Sequence, residues 1–204
     1  MKLYHVPGYC SLAPHIILRE LNASFDLDKV DLESRTTASG ENYLEVNSLG
    51  YVPALREGNG EVLTEGVAIL QYLADKNPSA NLAPAAGTIE RARMQQHLNY
   101  ISSELHKAYS PFFATPPIQG EAKEAALKKL ATRLGHINDI FSDGRSFLLG
   151  DDFTVADAYL FVVTNWSGLI GVDLNQWPHI EAFAKRVSER ESVQEALRAE
   201  GLLQ

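Results

Sequence analysis

The chain opens with Met1-Lys-Leu-Tyr-His-Val6-Pro-Gly-Tyr-Cys10-Ser-Leu-Ala-Pro-His-Ile-Ile-Leu-Arg-Glu-Leu21, and this order predicts the architecture around it. Residues 2–6 have the character of a short strand, and a proline-glycine turn follows them. Residues 11–22 have the spacing of a helix with Pro14 in its first turn, where proline is tolerated. Cys10, the single cysteine of the chain, therefore lies between the turn and the helix.

Cys10 has the position of a reactive thiol. Unpaired N–H groups and the positive dipole end of a helix favour the thiolate, which is the nucleophilic form. On residue type alone, a lone cysteine is more often a small buried apolar residue, and this is the alternative. The position of a resolving cysteine, three residues on, is Ala13, so Cys10 cannot close an internal disulfide. Any thiol partner must come from outside, and a small thiol is the natural candidate.

Composition excludes several classes of protein. With 45% hydrophobic and 22% charged residues, the 204-residue chain has the composition of a soluble globular protein. A net charge of −8 argues against nucleic acid as the main partner. No stretch approaches the ~20 apolar residues of a membrane span. The apolar run after Lys2 is too short for an export signal, and one cysteine fits a reducing compartment, so we expect a cytoplasmic protein.

Two domains are predicted. Residues 1–80 alternate strands and helices and predict an α/β domain with a mixed sheet, formed by a parallel crossover and then an antiparallel hairpin. Residues 81–87 form a linker of small residues, and residues 88–204 predict an all-α helical bundle. The expected strands are 2–6, 25–32, 52–55 and 61–64, and the expected helices are 11–22, 64–75, 88–109, 121–142, 154–168, 178–190 and 192–200.

Two further features of the first domain indicate a ligand. Val52-Pro53 opens a strand and is a candidate cis bond that would turn the Val52 N–H and C=O outward for an extended peptide ligand. The alternative is an ordinary edge-strand proline. Glu65 and Gly66 open a helix, where N–H groups bind anions and Glu65 attracts an amine. The alternative is a simple helix cap, whereas a ligand with an amine and a carboxylate at one end would suit the pair.

The second domain offers fewer chemical groups. Asn99, Ser103 and His106 lie at i, i+4 and i+7 and share a stripe of the predicted helix 88–109, which would otherwise be a solvated face. Thr154 and Asp157 have the spacing of a capping box, which is a structural signal. No His, Cys, Asp and Glu residues have metal-ligand spacing, so we expect no metal.

These residues occur in motifs that together resemble the cytosolic glutathione transferases, and specifically the bacterial beta class. The resemblance covers essentially the whole chain, and five motifs in order at matching spacing carry it. They are Pro7-Gly-Tyr-Cys-Ser-Leu-Ala13, Asn47-Ser-Leu-Gly-Tyr-Val-Pro-Ala-Leu55, Leu63-Thr-Glu-Gly-Val-Ala-Ile69, Leu98-Asn-Tyr-Ile-Ser-Ser-Glu-Leu-His106 and Phe153-Thr-Val-Ala-Asp-Ala-Tyr-Leu160.

The resemblance implies a thioredoxin-like N-terminal domain, a helical C-terminal domain, a homodimer and glutathione as co-substrate. It places Cys10 at the glutathione sulfur, able to form a mixed disulfide, with His106 nearby. It implies that Val52 binds the ligand backbone and that Arg35, where the family usually has Lys, lies near the glycine carboxylate. The γ-glutamyl end would be held by Glu65 and Gly66, and across the dimer by Asn99, Ser103 and Glu104.

The expected function is conjugation of the glutathione thiol to a small hydrophobic electrophile, a detoxification reaction of the bacterial cytoplasm. Cys10 and His106 would favour and orient the thiolate. The apolar electrophile site is expected to involve Tyr109, Phe112, Phe113, Trp166 and Leu169. One alternative is thiol–disulfide exchange or reductive dehalogenation, in which Cys10 attacks and glutathione resolves the mixed disulfide. Another is a non-catalytic carrier of apolar ligands.

Overall fold

The N-terminal part of the chain folds around a five-stranded sheet in the computed structural model, which describes residues 1–203. The strands are β1 (Lys2–His5), β2 (Asp26–Asp31), β3 (Thr36–Thr37), β4 (Ala54–Arg56) and β5 (Val62–Thr64). Their spatial order is β3-β2-β1-β4-β5, and only β1 and β2 run parallel. The predicted mixed sheet is therefore confirmed.

Three helices belong to this part of the chain: α1 (Leu12–Glu20), α2 (Tyr43–Val46) and α3 (Gly66–Lys76). Because parallel neighbours need a crossover, α1 connects β1 to β2, and the antiparallel hairpin of β4 and β5 then leads into α3. This order confirms the thioredoxin-like fold class. The short elements β3 and α2 lie between residues 33 and 51, for which the sequence pattern predicts neither a strand nor a helix.

The end of the chain packs with the N-terminal elements. Residues 1–83 and 188–203 form one unit, and residues 84–187 form the other. Helix α9 (Glu191–Ala199) buries Val193 and Ala196, and Glu20 of α1 bonds to Arg190 and Ser192. The structure thus groups residues 188–203 with the sheet, whereas the sequence analysis assigned residues 88–204 to one helical domain. Helix α1 is buried from Leu12 to Leu18, and α9 packs against it.

The second unit is helical, as predicted. Its longer helices are α4 (Ile89–Tyr100), α6 (Gly120–Ile140), α7 (Val155–Leu169) and α8 (Pro178–Ser188), and the short α5 (His106–Tyr109) follows α4 through a π-helical segment, Ile101–Leu105. Helix α7 is buried over most of its length, from Val155 to Thr164, and forms the core of the unit. Among the helices within residues 1–203, none has the length and apolar character that a membrane span requires.

The predicted capping box fixes the start of α7. Asp157 is fully buried, and one of its carboxylate oxygens accepts hydrogen bonds from the backbone N–H and the hydroxyl of Thr154, at 2.9 and 2.7 Å. Its other oxygen accepts from the Leu148 N–H at 2.8 Å. One carboxylate therefore ties the preceding loop to the first turn of the central helix, which is the structural role expected of it.

Replacing Asp157 by Ala should destabilise the protein by about 3 kcal/mol, because two buried backbone N–H groups lose their acceptor. Urea denaturation at pH 7.5 measures this loss. The matched control is Asp173→Ala, since the Asp173 carboxylate accepts a single exposed N–H, from Asn175. A loss at Asp157 no larger than the loss at Asp173 would contradict the assigned role.

Candidate active site

Cys10 lies in the loop between β1 and α1, two residues before the helix begins. Its side chain is partly exposed, and its thiol forms no disulfide. The thiol Sγ donates to the carbonyl oxygen of Val52 at 3.2 Å. The structure therefore confirms the position before a helix N-terminus and brings two predicted site residues, Cys10 and Val52, into contact.

Hydrogen bonds hold the loop that carries Cys10 at both of its sides. The Ser11 hydroxyl bonds to both the N–H and the carbonyl of Val6, each at 3.2 Å. The Gly8 N–H donates to the Glu200 carboxylate at 2.9 Å. Neither Ser11 nor Glu200 was predicted as a site residue, and Glu200 follows the last helix of the chain.

The Glu200 carboxylate is fully buried and pairs with His15 of α1, whose Nδ1 lies 2.8 Å from Oε1. Arg19 donates from Nε to the other ring nitrogen, Nε2, at 3.4 Å. Because Nε2 accepts this bond, the ring donates to Glu200 through Nδ1–H. Burial acts to raise the pKa of Glu200, but His15, His5 (Nδ1 3.5 Å from Oε1) and the Gly8 N–H outweigh it and lower the pKa. Glu200 is therefore a buried anion that joins α1, the Cys10 loop and the end of the chain.

The bond between Val52 and Pro53 is cis, as predicted. The expectation that the Val52 carbonyl is free was wrong, because this oxygen accepts the Cys10 thiol. Among residues 1–203, the Val52 N–H has no hydrogen-bond acceptor. The Pro53 ring also lies beside Gly66, where an added Cβ would come within 3.6 Å of it.

Glu65 and Gly66 open α3 with an unusual backbone. Glu65 is exposed and has a φ of 67°, a conformation that costs about 1–3 kcal/mol for a residue other than glycine. Its side chain makes no cap hydrogen bond, so the simple capping role is not seen. The Glu65 carbonyl accepts the first hydrogen bond of the helix, from the Ile69 N–H. The N–H groups before Ile69 have no acceptor within the helix, so they are available to a ligand.

Arg35 also has a positive φ, 58°. Its Nη1 donates to the Gly50 carbonyl at 2.9 Å, two residues before Val52. Gly50 has a φ of 68°, which favours glycine, and an added Cβ there would lie 2.7 Å from this nitrogen. The guanidinium is thus fixed beside the segment that leads to Val52.

In the second unit, the π-helical segment separates the residues of the predicted stripe. Asn99 and Ser103 are exposed, and the Ser103 hydroxyl donates to the Asn99 carbonyl at 2.8 Å. Glu104 instead accepts from Arg133 Nε at 2.8 Å. Because a π turn contains more residues than an α turn, the seven-residue spacing does not return His106 to this stripe. His106 is partly buried rather than exposed.

His106 packs among aromatic side chains. Its Nδ1 lies 2.8 Å from the Tyr159 hydroxyl, and its ring lies edge-on to Trp166 at 4.7 Å. Trp166 also contacts the rings of Tyr109 and Phe113, each at 5.9 Å. The structure therefore brings four predicted residues together and adds Tyr159, which the sequence analysis missed. Tyr159 and Trp166 lie seven residues apart on α7, and this helical spacing is the signal that could have revealed it.

The residues predicted for the apolar electrophile site differ in exposure. Tyr109 is fully buried, and its hydroxyl bonds to Ser167 at 2.6 Å, so only its ring edge is available to the cluster. Phe112 is partly exposed. Phe113 is 51% exposed and Leu169 is 73% exposed. Within residues 1–203, no group of three or more His, Cys, Asp and Glu side chains has an arrangement that could hold a metal ion.

Comparison with known proteins finds the two domains of one protein family in this chain. The chain matches the model of the glutathione S-transferase N-terminal domain over residues 1–75 and that of the C-terminal domain over residues 100–191. Glutathione S-transferase GstA of Escherichia coli O157:H7 is 44% identical over 202 residues, which cover 99% of this chain and all of the relative.

Two solved structures extend this similarity to the fold. The beta class glutathione S-transferase of Sphingomonas chungbukensis is 47% identical with a TM-score of 0.94, over the full length of both chains. A sphingomonad glutathione S-transferase complexed with glutathione is 46% identical with a TM-score of 0.94, over 99% of this chain and all of that one.

The His106 ring should be neutral well below pH 6. Burial, with a smaller effect of Lys107, lowers the pKa of His106 to about 4. An unfolded chain has a histidine pKa of about 6.5 and binds this proton more tightly, so the stability that the group contributes is present above that pH and is lost as the pH falls towards 4. Wild type should lose about 2 kcal/mol more than His106→Gln between pH 7 and 4.5 in urea denaturation. Equal losses would contradict a buried, neutral His106.

Proposed function

The chain belongs to the glutathione S-transferase family and is a glutathione transferase that conjugates glutathione to electrophiles, and we propose that Cys10 and His106 are the residues that act on the glutathione sulfur. The observation that carries the proposal is the position of Cys10, a thiol outside any disulfide that lies before a helix N-terminus and next to the Val52 main chain. A tripeptide bound along Val52 would bring its central cysteine to this point.

The groups around Cys10 match the charges of glutathione, which has an amine and a carboxylate at its γ-glutamyl end, a central thiol and a glycine carboxylate. Glu65 binds the amine, and the first-turn N–H groups at Gly66 bind the neighbouring carboxylate. The Val52 N–H bonds to the ligand main chain as a strand would. Arg35 binds the glycine carboxylate, where a guanidinium provides two parallel donors.

The reaction begins with ionisation of the glutathione thiol, whose proton leaves to solvent. The Cys10 thiol and the helix N-terminus stabilise the resulting thiolate, and His106 orients it. The thiolate sulfur then attacks the electrophilic carbon, forming a C–S bond as the electron pair of the broken bond leaves with its group. A neutral His106 is suited to a hydrogen-bonding role in this step at physiological pH.

The electrophile is a small hydrophobic molecule that binds against the aromatic cluster. The proposed wall consists of Tyr109, Phe112, Phe113, Trp166 and Leu169. Phe113 supplies accessible surface because it is 51% exposed, whereas the buried Trp166 joins Phe113 to His106. Planar apolar substrates should be favoured, since aromatic side chains offer large apolar faces.

The active form is a homodimer in the cytoplasm, where glutathione is abundant. Asn99 of α4 and the π-helical residues Ser103 and Glu104 extend to the γ-glutamyl end of a glutathione bound by the other subunit. The exposure of Asn99 and Ser103 supports this proposal. Glu104 would share its carboxylate with Arg133, its partner in the same chain.

A second candidate reaction is thiol–disulfide exchange, favoured by the partly exposed Cys10, which forms no disulfide. The Cys10 thiolate attacks a disulfide sulfur, forms a mixed disulfide and releases a thiolate. The thiolate of a first glutathione attacks the Cys10 sulfur of this disulfide and displaces the substrate thiolate, so that glutathione is bound to Cys10. The thiolate of a second glutathione then attacks the bound glutathione sulfur and releases oxidised glutathione and the Cys10 thiolate. Since the chain has one cysteine, this route depends on external thiols.

Replacing Cys10 by Ala should abolish the mixed disulfide with glutathione and slow conjugation about tenfold, because one donor to the thiolate is lost. Mass spectrometry detects the first effect, and a chromogenic electrophile such as a chlorodinitrobenzene measures the second. Cys10→Ser keeps a donor and should retain more conjugation than Cys10→Ala. Unchanged conjugation in Cys10→Ala would assign Cys10 to exchange chemistry alone.

Replacing Glu65 by Gln should raise the Kd for glutathione about tenfold, since a charge-assisted bond to the amine becomes neutral. Isothermal titration calorimetry measures this change directly. Glu61→Gln is the matched control, because Glu61 is an exposed carboxylate in the adjacent hairpin whose side chain bonds only locally, to Asn59. If both variants bind glutathione as wild type does, the amine site is not at Glu65.

A further inference from the structure

Tyr159 makes a contact with His106 that the proposed function does not use. The Tyr159 hydroxyl lies 2.8 Å from Nδ1 of the His106 ring, which is a well-formed hydrogen-bond distance. Tyr159 is 5% exposed and comes from the rigid, buried helix α7. Trp166, two turns further along the same helix, lies edge-on to the imidazole at 4.7 Å. The ring of His106 is therefore held by two neighbours on one helix.

The direction of this hydrogen bond decides what His106 can do. A neutral imidazole has one N–H donor and one lone-pair acceptor, so the proton can be on only one of its nitrogens. A phenol O–H is a stronger donor than an imidazole N–H, and an imidazole lone pair is a stronger acceptor than a phenol oxygen. The favoured arrangement has Tyr159 donating to Nδ1, which places the ring proton on Nε2. Burial keeps the ring neutral, as its lowered pKa indicates.

We propose that Tyr159 is a positioning residue that fixes His106 as the Nε2–H tautomer, so that His106 acts as a hydrogen-bond donor to an anionic sulfur and not as the base that removes the thiol proton. This inference rests on the proposed role of His106 at the glutathione sulfur. In that role, Nε2–H stabilises the thiolate by a charge-assisted hydrogen bond. The thiol proton goes to solvent, and His106 keeps the same proton throughout the reaction.

The alternative assignment has a different chemical consequence. If Nδ1 carried the proton and donated to the tyrosine oxygen, Nε2 would have a lone pair facing the sulfur. Such a lone pair repels a thiolate and would serve only to accept the thiol proton. A ring with a pKa of about 4 is a weak base for a thiol whose ordinary pKa is about 8.5. The donor role therefore fits the surroundings of the ring better than the base role.

The tautomer can be measured without any assay of activity. Two-dimensional ¹⁵N–¹H correlation spectra through the ring carbons distinguish a protonated from an unprotonated nitrogen, and His106→Gln assigns the His106 signals among the six histidines. Wild type at pH 7 should show an unprotonated Nδ1 and a protonated Nε2. A protonated Nδ1 would overturn the proposal, and this result needs neither glutathione nor a variant of Tyr159.

The consequence for catalysis is tested with Tyr159→Phe, which removes only the hydroxyl. At pH 6.5 the kcat/KM for conjugation should fall about fivefold, because the ring is no longer held in the donor tautomer. The KM for glutathione should change little, and the loss should shrink above about pH 9, where an ordinary thiol is ionised without help. A general structural defect would lower the rate equally at every pH.

Tyr100→Phe is the matched control. Tyr100 is a partly buried tyrosine of the same unit, and its hydroxyl donates to the Arg133 carbonyl at 3.2 Å. This variant should keep the wild-type pH profile. A Tyr159→Phe profile that matches wild type, or a loss that does not depend on pH, would overturn the positioning role. If the protein binds no glutathione but His106 shows the expected tautomer, the proposed function is refuted, whereas the hydrogen bond from Tyr159 to Nδ1 of His106 is supported.

Discussion

A buried carboxylate, that of Glu200, is the constraint on which the first unit depends. Its side chain has no exposed surface, and it faces the N–H of Gly8, Nδ1 of His15 at 2.8 Å and Nδ1 of His5 at 3.5 Å. Removing one partner of such a buried charge typically costs about 3–5 kcal/mol, so each partner keeps the others in place. Because Gly8 is two residues from Cys10, the end of the chain is part of what positions the thiol.

The second unit is organised around α7 in a comparable way. Asp157 fixes the first turn of this helix, and the same helix then presents Tyr159 and Trp166 to His106. Rigid support of this kind is what a group that orients a reacting atom requires. The irregular backbone lies at the candidate residues themselves: Glu65 has a positive φ, and the π-helical segment directly precedes His106. Such departures are frequent at functional sites, where the surrounding structure stabilises them.

The sequence predicted the features that depend on local pattern. The strand, turn, cysteine and helix of residues 1–21, the cis bond at Val52 and the capping box of α7 all follow from residues close together in the chain. It could not predict that Glu200 reaches the Cys10 loop, since the partners are 185 to 192 residues apart and no periodicity links them. For the same reason the last helix was assigned to the helical domain.

The candidate site shows the same division. Residue type and motif order pointed to Cys10, Glu65 and His106. The contact of Tyr159 with His106 depends on the packing of α7, and its one signal in the sequence is the helical spacing between Tyr159 and Trp166. The most direct test of the account is a crystal structure with glutathione bound. The account predicts the glutathione sulfur within hydrogen-bonding distance (about 3.5 Å) of both Cys10 Sγ and His106 Nε2. A glutathione whose sulfur contacts neither atom would contradict it.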